Sequence, residues 1–250
     1  MKIKICGITS LEEIEYINKL KPEYIGFVFT KSKREITERQ AKNLSKKLSK
    51  EVKIVGVFKN NSLEEIRVVI KEIKVDVIQL HGKEDNYFIE NLREIIKEEY
   101  SEKSVQEIKE KYSGESVQEI KEEYGGKSIE EIKEWNKDKK SGKIQIWKGI
   151  SIKSEEDLKR DINLKVDNFI LDGGNPGSGE TFNWDLIKQT NINFNFFLAG
   201  GINLENLDGI IKNINPYGVD VSSGVEILDH LGNRRKDFGK MKSLIEKGRK

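Results

Sequence analysis

Residues 2–29 read KIKICGITSLEEIEYINKLKPEYIGFVF. A short β-rich run ends at Cys6, a helical pattern follows, and a second β-rich run covers Tyr24 to Phe29. Ser10 and Glu13 have the spacing of a reciprocal capping box, which predicts the start of a helix between the two runs. A strand, a helix and a second strand in this order indicate a βα unit of a parallel sheet.

The same unit recurs along the chain. Thr37 with Gln40 and Ser62 with Glu65 repeat the capping box, so helices are expected there as well. Eight strand-then-helix units point to a closed (β/α)8 barrel, and no G-x-G-x-x-G motif follows the first strand. We therefore expect residues 1–250 to form one α/β domain, a TIM barrel. The expected strands cover residues 3–6, 24–29, 53–58, 77–80, 144–148, 168–171, 194–199 and 219–222.

Composition narrows the function. The chain has 45 Lys and Arg residues against 43 Asp and Glu residues, so its net charge of +2 provides no basic field for nucleic acid. No long apolar stretch predicts a signal peptide or a membrane span, and no membrane partner is expected. A single cysteine excludes an internal disulfide, and a cytoplasmic location is expected.

Unusual residues follow most of the predicted strands. In a (β/α)8 barrel the active site lies at the carboxyl ends of the strands. Taken singly, a lone cysteine is more often a packing residue, and a glycine after a strand is more often part of a turn. Six such positions at one end of the barrel instead predict a site: Cys6, His81-Gly82, Lys148-Gly149, Asp172-Gly173-Gly174, Gly200-Gly201 and Ser222-Ser223-Gly224.

The last two of these loops predict a phosphate site. Glycine lets backbone N–H groups approach an anion closely, and barrels often bind phosphate after strands seven and eight. A helix that begins after Gly224 would add its dipole to the hydroxyl groups of Ser222 and Ser223. The expected ligand of Gly200, Gly201 and this second loop is a phosphosugar, a small molecule.

The chain resembles the phosphoribosylanthranilate isomerase family of tryptophan biosynthesis. The motifs, in the family's order, are K-I-C-G-I-T at 4–9, G-F-V-F at 26–29, S-K-R at 32–34, V-G-V-F at 55–58, Q-L-H-G at 79–82, D-G-G-N-P-G-S-G-E-T-F-N-W at 172–184, L-A-G-G-I at 198–202 and V-D-V-S-S-G-V-E at 219–226. The resemblance implies the Amadori rearrangement of N-(5-phosphoribosyl)anthranilate to 1-(2-carboxyphenylamino)-1-deoxyribulose 5-phosphate. It implies general acid/base catalysis without a metal or an organic cofactor, and we expect a monomer or a homodimer.

The resemblance also implies roles for three residues. Asp172 protonates the ribose ring oxygen, Cys6 removes the C2 proton, and Arg34 binds the anthranilate carboxylate. For this chemistry the pKa of Asp172 must rise through partial burial, and the pKa of Cys6 must fall below that of a free thiol. Arginine suits the carboxylate because its planar fork matches two oxygens.

Three further residues are expected around these groups. Period-two alternation places Lys4 on the same face as Cys6, one layer deeper in the barrel. Lys4 either favours the thiolate of Cys6 or pairs with an inward acid such as Asp220 to neutralise charge, and both can hold. His81 is either a core histidine or a group that orients the substrate. Asp220 and His81 complete the predicted substrate-binding set.

The stretch 98–142 departs from the family motifs. Twelve-residue repeats, S-V-Q-E-I-K-E-K-Y-S-G-E and two variants of it, follow the fourth helix and precede the fifth strand. Ser104, Ser116 and Ser128 each precede a Glu by three residues, which predicts three short helices. One long helix is the alternative, but its apolar stripe would then spiral by about 120° per repeat.

Two other functions stay open at this point. An enzyme like indole-glycerol phosphate synthase would use a lysine at a strand end, and Lys148 is available. A barrel without catalytic activity would serve as a scaffold, with the repeats as an interaction module.

Overall fold

The computed structural model describes residues 1–99, 144–152, 154–173, 187, 192 and 194–250. The predicted repeats between residues 100 and 142 lie outside these ranges, so the three short helices stay a prediction. The 174–184 part of the predicted loop after strand six also lies outside them.

Eight parallel strands pair in the order of the sequence and close into a barrel. The closure joins the first strand to the last, with Lys4 directly opposite Asp220. The predicted (β/α)8 architecture is therefore confirmed. The strands are β1 (Lys2–Cys6), β2 (Tyr24–Val28), β3 (Lys53–Phe58), β4 (Val77–Leu80), β5 (Gln145–Ser151), β6 (Asn168–Asp172), β7 (Phe196–Ala199) and β8 (Gly218–Val221).

Helices follow the strands and pack around the barrel. The predicted capping boxes at Ser10, Thr37 and Ser62 are all formed. In each, the side chain of the capping residue accepts from the backbone N–H three residues on, and the side chain of that later residue accepts from the backbone N–H of the capping residue. No helix in the described ranges is long and apolar enough to cross a membrane. The described helices are α1 (Leu11–Leu20), α2 (Glu38–Ser45), α3 (Leu63–Glu72), α4 (Asn86–Glu99), α5 (Glu155–Asp161), α6 (Leu207–Asn213) and α7 (Phe238–Gly248).

Two local predictions are wrong. The fifth strand does not end at Lys148-Gly149, because its ladder with β6 continues until Ser151 pairs with Asp172. The helix expected after Gly224 is only a 3₁₀ turn over Ser223–Val225. It is followed by an antiparallel hairpin of β9 (Glu226–Leu228) and β10 (Arg234–Lys236), which the sequence patterns did not predict.

The barrel interior is apolar at one end and polar at the other. Tyr24, Trp147 and Phe197 lie near the amino ends of their strands, and the rings of Trp147 and Phe197 stack with centroids 4.7 Å apart. Polar side chains, among them Lys4 and Gln79, are buried nearer the carboxyl ends. The aromatic cluster closes one end of the barrel, and the polar end is left for chemistry.

Candidate active site

Cys6 and Asp172 are the last residues of β1 and β6, so both lie at the carboxyl end of the barrel, with β7 and β8 between their strands. Gly26 pairs with Cys6 on the neighbouring strand. A Cβ atom on Gly26 would lie 2.7 Å from the Sγ atom of Cys6, so only glycine leaves room for the thiol. The half-buried thiol therefore faces the polar end of the barrel.

An ion pair lies next to Cys6 inside the barrel. The Nζ atom of Lys4 is 2.8 Å from the Oδ2 atom of Asp220, and Lys4 is fully buried. Burial by itself lowers the pKa of Lys4, but the charge of Asp220 and the hydrogen bond to it raise that pKa above the ordinary value. Lys4 is therefore charged, and its predicted pairing with Asp220 is confirmed.

The expected low pKa of Cys6 is wrong in this structure. Burial raises the pKa of the thiol above its ordinary value, and the charge of Asp220 acts in the same direction. The charges of Lys4 and Lys236 lower the pKa but do not outweigh burial. Burial therefore favours the protonated thiol of Cys6 over the thiolate.

His81 lies beside Asp172. Its Nε2 atom is 3.6 Å from the Oδ2 atom of Asp172, which is longer than a hydrogen bond. Burial lowers the pKa of His81, and the amide Nε2 of Gln79 lies 3.3 Å from the imidazole Nδ1. This contact holds the imidazole ring in place, with Nε2 directed toward Asp172. The structure thus brings His81 to the predicted acid.

Lys148 is fully engaged in a different task. Its Nζ atom donates to the Oε2 atom of Glu84 at 2.8 Å and to the carbonyl oxygen of Gly82 at 2.7 Å. Both charged side chains are almost completely buried, with 2% and 3% of their surface exposed. Since the amine is held in this pair, the structure does not support lysine-based chemistry like that of indole-glycerol phosphate synthase.

Arg34 lies next to Cys6. A Cβ atom on Gly7, whose φ is +81°, would be 2.3 Å from the Cδ atom of Arg34, so the arginine stem runs along the backbone that follows the thiol. The guanidinium forms a two-point pair with Glu226: Nε donates to Oε1 at 2.6 Å and Nη2 donates to Oε2 at 2.8 Å. Sequence reasoning did not assign Glu226 a role, although it is the last letter of the V-D-V-S-S-G-V-E motif.

The two glycine loops pack against each other. Gly200 and Gly201 have φ values of 95° and 66°, a region that favours glycine. A Cβ atom on Gly224 would lie 1.9 Å from the carbonyl oxygen of Ile202, so the loop after β8 lies directly on the loop after β7. The hydroxyl of Ser222 donates to the carbonyl oxygen of Cys6 at 2.9 Å. The predicted phosphate loops are therefore in contact, and the second is tied to the backbone of Cys6.

A closed eight-stranded barrel with ionisable groups gathered at the carboxyl ends of its strands has the architecture of the (β/α)8-barrel enzymes. The sequence model of one family, "N-(5'phosphoribosyl)anthranilate (PRA) isomerase", matches residues 3–121 and 125–247. The chain belongs to this family.

Individual relatives agree with the family match. N-(5'-phosphoribosyl)anthranilate isomerase of Clostridium beijerinckii is 43% identical over 267 residues, which cover 100% of this chain and 97% of the relative. A monomeric variant of the dimeric phosphoribosylanthranilate isomerase of Thermotoga maritima superposes with a TM-score of 0.70 at 28% identity, and the match covers 100% of this chain and 98% of that one. A second isomerase structure, bound to reduced 1-(o-carboxyphenylamino)-1-deoxyribulose 5-phosphate, matches with a TM-score of 0.70, 27% identity and the same coverage.

The protein is an isomerase of tryptophan biosynthesis. It catalyses the Amadori rearrangement of N-(5'-phosphoribosyl)anthranilate, and the function expected from the sequence is confirmed.

Proposed function

We propose that Cys6 is the general base and Asp172 the general acid of this rearrangement. The observation that carries the proposal is their placement: each is the last residue of its strand, at the end of the barrel where the polar groups collect. Protonated Asp172 gives its proton to the ribose ring oxygen, and the ring opens to a Schiff base. The thiolate of Cys6 then removes the proton on C2, and the resulting enolamine tautomerises to the ketone.

The ionisation of Cys6 limits this mechanism. Burial raises the pKa of the thiol and so lowers the fraction that is thiolate. The charge of Lys4 increases this fraction. We therefore propose that Lys4 serves both of its predicted purposes, because it neutralises Asp220 and also favours the thiolate.

The remaining site residues bind the substrate in this proposal. The backbone N–H groups of the two glycine loops, with Gly200 and Gly201 in one and Ser222, Ser223 and Gly224 in the other, receive the phosphate. Arg34 binds the anthranilate carboxylate beside Cys6. His81, which lies beside Asp172, and Asp220, which pairs with Lys4, orient the sugar.

The organisation of the chain is also part of the proposal. We propose one barrel domain, in which residues 98–142 form an insertion that is dispensable for chemistry. The support is topological: α4 ends at Glu99 and β5 begins at Gln145, and a connection from a helix to the next strand lies at the end of the barrel away from the site. A cytoplasmic location suits an enzyme with one reactive thiol that must stay reduced. A monomer or a homodimer is compatible with a relative that is described as dimeric.

Turnover by site variants tests the acid and base. Cys6→Ala and Asp172→Asn should each lower kcat by about 10² to 10⁴, the typical contribution of a general acid or base. Binding of the reduced product analogue should change far less, because neither variant alters the glycine loops or Arg34. Cys6→Ser is the sharper probe, since it keeps the size of the side chain but does not ionise near neutral pH. Wild-type kcat in Cys6→Ala would show that the cysteine is a packing residue.

A further inference from the structure

The carboxylate of Glu226 stands at the centre of a cluster of cations outside the proposed acid and base. It accepts both hydrogen bonds from Arg34 described above and a third from the Nζ atom of Lys236 at 2.7 Å. The Nη1 atom of Arg234 lies 3.7 Å from it. Burial by itself raises the pKa of Glu226, but the hydrogen bonds and charges of Arg34 and Lys236 lower it to about 2. Glu226 is therefore an anion throughout the physiological range.

The pairing with Glu226 leaves one edge of the Arg34 guanidinium open. A guanidinium has five N–H groups in a rigid plane, and the pair uses one on Nε and one on Nη2. Both hydrogens of Nη1 and the second hydrogen of Nη2 remain, and no group in the described part of the chain accepts from Nη1. Because the plane is rigid, fixing one edge also fixes the direction of the other.

Glu226 is itself held by a second, buried cation. The buried ammonium of Lys236 donates to Glu226 and also to the carbonyl and hydroxyl oxygens of Ser222, at 3.1 and 3.2 Å. The backbone N–H of Lys236 donates to the Oε1 atom of Glu13 at 2.9 Å, which anchors the β9–β10 hairpin to α1. Ser222 belongs to the predicted phosphate loop, so one continuous network joins that loop to Arg34.

We propose that Glu226 is a positioning residue that orients Arg34 for the anthranilate carboxylate of the substrate. Glu226 does not touch the substrate. It holds the guanidinium by one edge, so that the Nη1 edge is presented to the incoming carboxylate at low cost in side-chain entropy. This inference rests on the role proposed above for Arg34.

The test measures binding of two ligands to variants of the full chain. One ligand is the reduced product analogue, and the other is the same compound without the carboxylate on its ring. Glu226→Gln should weaken binding of the first ligand by about tenfold and of the second by less than about twofold, because only the first uses Arg34. In turnover, KM should rise while kcat stays within about threefold. Asp229→Asn is the matched control, since Asp229 holds only the hairpin itself through Leu231, Asn233 and Arg235, and it should affect neither ligand.

Combined variants distinguish the positioning role of Glu226 from the proposed role of Arg34, on which it rests. In an Arg34→Ala background, Glu226→Gln should have no further effect on the first ligand. If Arg34→Ala leaves binding of that ligand unchanged, the role of Arg34 is wrong and the inference fails with it. If Arg34→Ala weakens binding but Glu226→Gln does not, or weakens both ligands equally, only the positioning role is wrong. Should Glu226→Gln not fold, Glu226→Asp keeps the charge with a shorter reach and must show the same selective loss.

Discussion

Two buried lysine–carboxylate pairs, one inside the barrel and one on the outer face of its strands, differ in how completely they are satisfied. Lys4–Asp220 joins β1 to β8, and Lys148 of β5 pairs with Glu84 of the loop after β4, each at 2.8 Å. Both oxygens of Glu84 are used, because Oε1 accepts from the backbone of Asn60 and Oε2 accepts from Lys148 and Gly82. In contrast, the Oδ1 atom of Asp220 is buried without a hydrogen-bond partner among the described residues.

We propose that this difference separates a structural pair from a pair that influences the chemistry. In the Lys148–Glu84 pair, both carboxylate oxygens accept hydrogen bonds. The pair connects the loop after β3 to the loop after β4, which carries His81. The Lys4–Asp220 pair keeps an acceptor unused and places two opposite charges near Cys6, one that lowers its pKa and one that raises it. An unsatisfied buried oxygen costs stability, and such sites are retained where function needs them.

Among variants of the two pairs, Lys4→Met should have the largest effect, because it lowers both stability and turnover. Removing one partner of a buried pair leaves Asp220 uncompensated, which typically costs about 3–5 kcal/mol in the free energy of unfolding. The pKa of Cys6 should rise further, and each unit lowers the thiolate fraction about tenfold, so kcat at neutral pH should fall by roughly tenfold or more. Denaturant unfolding and the pH dependence of thiol alkylation measure the two effects.

Substitution of the other partner, Asp220, provides the control. Asp220→Asn removes the charge that raises the pKa of Cys6, so the midpoint of alkylation should move to lower pH, opposite to the shift in Lys4→Met. Equal midpoints in the two variants would show that the pair has no electrostatic effect on the thiol.

Lys148→Met should affect stability alone. The same loss of about 3–5 kcal/mol is expected, since Glu84 is left buried without its cation. Yet kcat should stay within about threefold, because no charge of this pair is among the causes that shift the pKa of Cys6. Denaturant unfolding and turnover are measured side by side with Lys4→Met. A fall in kcat as large as that of Lys4→Met would remove the distinction between the two pairs.

The smallest expected effects are in the pH dependence of stability. There the Lys148–Glu84 pair acts in the acid range and the Lys4–Asp220 pair acts in the alkaline range. Burial alone would raise the pKa of Glu84, but hydrogen bonds from Lys148 and the backbone lower it below the ordinary 4.5. Its contribution is thus present above pH 4.5 and is lost as pH falls through the lowered pKa. The pKa of Lys4 is raised above 10.5, so its contribution is present below pH 10.5 and is lost as pH rises through the raised pKa.

Unfolding free energies of single variants test these signs. Glu84→Gln should flatten the acid side of the stability profile, and Lys4→Met should flatten the alkaline side. A change on the other side in either variant would contradict the assignment.

The sequence by itself determined the barrel and most of its site. Alternation of short β-rich runs with capped helices is a local pattern, so the eight strands and the capping boxes at Ser10, Thr37 and Ser62 could be predicted before the structure was known. Strand ends are local as well. The gathering of Cys6 and Asp172 at one end therefore followed as soon as the fold was predicted.

Only the tertiary structure decided how the site residues are charged and paired. The pKa of Cys6 depends on the balance between burial and neighbours such as Lys4 and Lys236, and that balance reversed the expected direction. Arg34 finds its partner Glu226 192 residues further along the chain, in a hairpin that no local pattern predicted. Burial and ion pairing are sums over contacts made by the closed barrel, and spacing along the chain carries no measure of either.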